Sequence, residues 1–144
     1  MKSFWLIIQT VLLGLGGWIG YFLGGCDGFL IALLVLVTID YITGVVCAIY
    51  DKKLSSEIGF KGIAKKVMIL ILVGIAQLLD KYVFGEAGVI RTAVIFYYIS
   101  NEGISIIENA AHLGLPIPDK LKDVFMQLHN RGSREKDIEV EEKE

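Results

Sequence analysis

The sequence predicts an all-α integral membrane protein: about four transmembrane helices, then a C-terminal amphipathic cytoplasmic helix and an acidic tail. Three observations carry this. Of the 144 residues, 54% are hydrophobic, above the about 45–50% usual for soluble domains. Those residues gather in four stretches close to the ~20 residues that cross ~30 Å of hydrocarbon. The remaining charges collect mainly between and after the stretches. The division that follows is a four-span domain over 1–112, a Pro-x-Pro linker and amphipathic helix over 113–131, and a charged, disordered tail over 132–144.

The first stretch, Phe4 to Gly25, contains no charge. Lys2 before it and Leu-Gly-Gly-Cys at 23–26 loosely resemble a lipoprotein signal, but the apolar run exceeds the 7–15 residues usual there and leads straight into another span, so it is expected to be retained. The second stretch, Phe29 to Tyr50, holds the single charge Asp40; the third, Ile63 to Leu79, follows Lys65 and Lys66 and carries Gln77. The fourth, Val89 to Ile107, is interrupted by Arg91 and Glu102.

Lys and Arg asymmetry sets the orientation. The turn at Cys26 to Gly28 has none, whereas the connection between spans two and three holds Lys52, Lys53, Lys61, Lys65 and Lys66. Six more basic residues follow span four. Both termini and the lysine-rich connection are therefore expected in the cytoplasm, and four spans return the chain to its starting side. The last ten residues hold six acidic ones, a solvated tail by composition.

Several function classes drop out. No basic patch interleaved with aromatics points to nucleic acid. Cys26 and Cys47 lie about 30 Å apart along two spans, too far for one disulfide, and no Cys/His cluster suggests a metal. Neither a nucleophile elbow nor a phosphate loop is present. Neither enzyme nor cofactor is expected.

The polar exceptions inside the spans are informative. Gly16, Gly20, Gly24 and Gly28 recur every four residues, and residues so spaced share a helix face. Small residues of this kind let helix backbones approach in lipid, within one subunit or between subunits. A carboxylate at the position of Asp40 costs about 2.5–3.5 kcal/mol on insertion scales. It shares one side of span two with Thr43, Gly44 and Cys47, a small polar face suited to an interhelical hydrogen bond or to a pore lining. On span four Arg91, Tyr98, Glu102, Ser105 and Asn109 fall within about 60° of one another. Such a stripe must meet the face of Asp40, another subunit or water. Arg91 is expected to snorkel at the outer interface, about 16 Å from Glu102 along the helix.

After span four, Gly114, Pro116 and Pro118 break the helix. Pro118 suits the first turn of a new one, on which Leu121, Val124, Phe125 and Leu128 form an apolar stripe. Such a helix docks on the membrane surface or on a partner.

The ordered blocks IDYITGVVCAI and SSEIGFKGIAKK (Ile39 to Lys66) and NEGISIIENAAHLGLPIPDKLKD (Asn101 to Asp123) resemble the small holins of the phage-lysis and toxin-secretion type, from about residue 29 to 125. The resemblance implies a homo-oligomer in the bacterial cytoplasmic membrane that opens a lesion. The lesion releases a cell-wall hydrolase (endolysin) or toxin; there is no cofactor and no catalytic residue. On this reading Asp40, Thr43, Arg91, Glu102, Ser105 and Asn109 are candidates for the polar lining, and Gly16, Gly20, Gly24, Gly28 and Gly44 for packing. The alternatives are a small ion or proton channel or transporter subunit, and a membrane scaffold that recruits a partner through the C-terminal helix.

Overall fold

A computed structural model describes residues 1–85 and 87–141, side chains excepted over 131–141. Five α-helices occur in chain order: α1 (Lys2–Phe22), α2 (Gly28–Tyr50), α3 (Ser56–Leu79), α4 (Val89–His112) and α5 (Asp119–Glu141). A π-helical turn, Asp80–Phe84, extends α3. The described residues contain no strand.

Three helical segments among the described residues are long and apolar enough to cross a membrane: Lys2–Phe22, Gly28–Tyr50 and Ser56–Phe84. The chain is thus a multi-pass membrane protein. The expected fourth span corresponds to α4, whose 24 residues measure about 36 Å but whose Arg91, Glu102 and Glu108 dilute its apolar character.

The third helix starts earlier than its apolar run. Ser55 caps α3, its Oγ accepting from the Ile58 N–H at 3.2 Å, so the helix begins at Ser56. Lys61, Lys65 and Lys66 therefore lie in a helix and not in a connection; only Lys52 and Lys53 keep that place.

Packing is uneven along the chain. α4 is central and touches α2, α3 and α5. α2 and α4 run parallel, since the Phe29 ring packs tilted against Phe96 (5.0 Å between ring centroids) while Thr43 meets Asn109. α3 runs antiparallel to both. The buried core comprises Leu23, Leu30, Leu33, Val37, Ile69, Val73, Ile95 and Ile99. No residue of α1 is buried; this helix joins the others through its last turn, where the Phe22 ring fills the notch left by Gly74. A Cβ at Gly74 would lie 1.9 Å from that ring.

The regular glycine ladder does not form one helix face. Gly16 and Gly20 sit in α1, Gly24 adopts φ +82 in the reversing turn, and Gly28 opens α2. A Cβ at Gly16, Gly20 or Gly28 would meet nothing within 4 Å.

α5 does not project away from the helices. It returns antiparallel along α4, placing Phe125 against Gly103, where a Cβ would come within 2.3 Å of the ring. His129 stacks with Tyr97 at 6.2 Å. Of the Leu121–Leu128 stripe, Phe125 docks on the chain's own α4, while Leu121 and Val124 remain exposed. Helix continues beyond 131, through a stretch rich in Arg, Glu and Lys, good helix formers. The expected tail at 132–144 falls in this stretch, and 142–144 lie outside the described residues.

Candidate functional site: two polar clusters in one bundle

Charge is buried in two layers separated by apolar core. The first ties together the ends of four segments. Asp27 precedes α2 and caps it, Oδ1 accepting from the Leu30 N–H at 2.9 Å. Arg91, in the first turn of α4, donates from Nη1 to Asp27 Oδ2 at 2.6 Å. Its Nε donates to the Leu23 carbonyl at 2.6 Å and its Nη2 to that of Gly25 at 3.1 Å. One guanidinium thus binds the turn after α1 to the start of α2. Asp80 completes the layer from the π turn: its carboxylate accepts from the N–H groups of Ile90 (3.0 Å) and Arg91 (2.8 Å). That caps α4, which has no side-chain cap of its own.

Arg91 is only 5% exposed, so it turns inward, contrary to the snorkelling expected of it. Backbone carbonyls and a neighbouring carboxylate satisfy it there. Its hydrogen bond holds the Asp27 carboxyl below the usual carboxylate range, against the opposite push of partial burial. Asp27 and Asp80 were invisible as partners in the sequence, because both read as turn residues at span ends.

The second layer lies about 16 Å further along α4. Lys66 of α3 reaches between α2 and α4 and forms ion pairs with Asp40 and Glu102. Asn109 Nδ2 donates to Thr43 Oγ1 at 2.9 Å and to Asp40 Oδ1 at 3.3 Å. Cys47 Sγ donates to the Asn109 carbonyl at 3.4 Å, and a Cβ at Gly44 would stand 3.9 Å from Asn109 Nδ2. The small polar face of α2 therefore meets the polar stripe of α4. Ser105 lies half-buried on that helix.

Sequence reasoning placed Lys66 on the membrane boundary and missed its role. Two carboxylates inside spans need a cation, and Lys66 lies ten residues into α3, about 15 Å from its start. That complementarity was the available signal. With one ammonium between two carboxylates, the ionised cluster carries a charge of −1 inside the bundle. A cleft of about 220 Å³ between α2 and α3 borders it, lined by Asp40, Tyr41, Gly59, Gly62, Lys65 and Lys66. Neither cluster offers metal-ligand groupings among the described residues.

Comparison with known proteins bears on this arrangement. Residues 17–130 match the bacteriophage holin family, a stretch that contains both clusters. An uncharacterized 14.9 kDa protein in the nagH 3′ region of Clostridium perfringens is 43% identical over 124 residues, covering 86% of this chain and 94% of the relative. An uncharacterized Listeria innocua protein is 42% identical over 121 residues, 84% of this chain and 86% of its own length. The Bacillus subtilis protein YqxH is 36% identical over 116 residues, 81% of each chain. No solved structure matches.

Proposed function

We propose that this chain, which belongs to the bacteriophage holin family, is a working holin: copies assemble in the cytoplasmic membrane and open a lesion that releases a cell-wall hydrolase or a toxin. It acts without catalysis or cofactor. In this reading α4 crosses as a fourth span, shielded by α2 and α3, and both termini face the cytoplasm with Lys52, Lys53, Lys61 and Lys65. The Arg91 layer then lies at the outer end of the bundle.

The observation that carries the reading is the Lys66 layer. Ionised groups buried in a membrane bundle are costly unless paired, and here the pairing is short of one positive charge. Separating α3 from α2 and α4 would expose Lys66, Asp40, Glu102 and Asn109 together, converting a helix contact into a polar wall. Each chain supplies only a few helices, so a wide lesion needs several copies.

Two further features support assembly. Gly16 and Gly20 leave a face of α1 open to a second helix, which suits close packing between copies. α5 carries exposed Lys122 and Asp123 beside α4 at the level of Glu102, and charged side chains cannot face lipid there. Neighbouring copies or water must screen them.

The same uncompensated charge favours a second reading, a small ion or proton channel. A scaffold is less favoured, because Phe125, on the apolar stripe of α5, already packs against α4. One experiment separates the three. The chain is expressed in a bacterial membrane, and potential, entry of a small dye and escape of a cytoplasmic enzyme are followed. The holin releases the enzyme, a channel collapses the potential alone, and a scaffold does neither.

A further inference from the structure

We propose that the pocket between the last turn of α1 and the end of α3 binds the phosphate headgroup of an anionic phospholipid, with Lys81 as its charge partner. The pocket has a volume of about 350 Å³, and its lining includes Gly20, Tyr21, Gly24, Gln77, Lys81 and Tyr82. It contains donors and a cation but no carboxylate.

The ammonium of Lys81 is held in place by aromatic groups. It lies 4.4 Å from the Tyr21 ring centroid and 5.3 Å from that of Tyr82. It donates to the Tyr21 hydroxyl at 2.5 Å, and the two phenol oxygens are 3.2 Å apart. An ammonium has three N–H donors, so this leaves two for a ligand. Among the described residues no carboxylate pairs with Lys81. The neighbouring Asp80 is committed to the α4 backbone. The Gln77 side-chain amide also has no hydrogen-bond partner among the described residues.

A lysine at this place could instead serve the negative end of α1. Arg91 already takes the Leu23 and Gly25 carbonyls there, which leaves Lys81 available. Glycine at 20 and 24 keeps the wall of the pocket free of side chains. Tyrosine gathers and lysine snorkels where a span meets headgroups, and an unpaired ammonium there attracts an anionic headgroup of either leaflet by charge. A phosphodiester would accept from Lys81 Nζ, a phenol and the Gln77 amide. Its acyl chain would lie along the exposed apolar surface of α1, including Trp18, and against Leu78. An inorganic phosphate shares the anion chemistry but leaves that apolar lane unused.

The test is the melting temperature of the purified full-length chain in micelles, titrated with phosphatidylglycerol, phosphatidylcholine or inorganic phosphate. Phosphatidylglycerol is expected to stabilise at concentrations where phosphatidylcholine does not. Lys81→Gln should require about fivefold more phosphatidylglycerol for the same shift, and Tyr82→Phe a smaller increase. Lys120→Gln, on α5, should leave the titration unchanged. If Lys81→Gln does not fold, Tyr82→Phe decides. Equal responses to the two lipids, or identical titrations in wild type and the pocket variants, would overturn the site. A response to inorganic phosphate equal to that for phosphatidylglycerol would overturn the lipid assignment.

Discussion

The two polar layers use the same residue types for opposite ends. Around Arg91 every strong group is answered locally: carbonyls of the α1–α2 turn, the cap of α2 and the cap of α4. One cation and one carboxylate pair there, and a second carboxylate caps a helix. Around Lys66 one cation serves two carboxylates on separate helices, beside a cleft. The first layer fixes where the chain turns. The second holds three helices together through one shared cation. A buried charge in a membrane bundle is therefore not by itself a sign of transport or gating; what matters is whether its neighbours are caps and turns or other helices.

Substitutions can break that contrast in order of effect. Lys66→Met strands two carboxylates and should cost about 3–5 kcal/mol, the scale for removing one partner of a buried ion pair. Thermal unfolding in micelles measures it, and the fall should exceed that of any Arg91 variant. Arg91→Met should cost about 1.5–3 kcal/mol, because Asp27 remains 45% exposed and can turn to water. Its mark should be local: greater protease sensitivity of the α1–α2 turn, with the Lys66 layer intact.

Phe125→Ala empties the notch at Gly103. Half-buried, this ring should be worth about 2 kcal/mol, roughly half the loss at a full core site. Hydrogen exchange should show α5 released and α2 unaffected; if α5 stays protected, its docking does not depend on this contact.

The smallest effect is tied to pH. Because Arg91 depresses the Asp27 carboxyl in the folded chain, its stabilisation is complete above the ordinary carboxylate range. It is lost as pH falls through the lower folded value. Solvent screening at this half-exposed side chain keeps the contribution under about 1 kcal/mol. Asp27→Asn keeps a good helix cap and should flatten the acid limb of a melting-temperature profile. An unchanged limb would place the acid sensitivity elsewhere.

Much of this was legible in the sequence where periodicity and composition speak. The second span was expected from Phe29 to Tyr50 and forms from Gly28 to Tyr50. The polar faces carrying Asp40 and Glu102 were visible as stripes, and they meet. Three things were not legible. The start of α3 hid behind glycines and lysines that read as a connection, although Ser55 caps it. Asp80 caps a helix that begins nine residues later, across a reversal of the chain, which periodicity does not register. Gly74 and Gly103, which admit phenylalanine rings from other helices, follow no regular spacing. Their role depends on where Phe22 and Phe125 arrive, while the regular ladder at Gly16 and Gly20 touches nothing within the chain.

If the Lys66 layer governs opening, as proposed, the timing of release must depend on its charge. The most direct measurement is the time at which a cytoplasmic enzyme escapes from cells expressing Glu102→Gln at wild-type membrane levels. Removing one carboxylate charge leaves Lys66 and Asp40 balanced, so escape should come later than in wild type. Escape at the wild-type time in both Glu102→Gln and Asp40→Asn cells would contradict it.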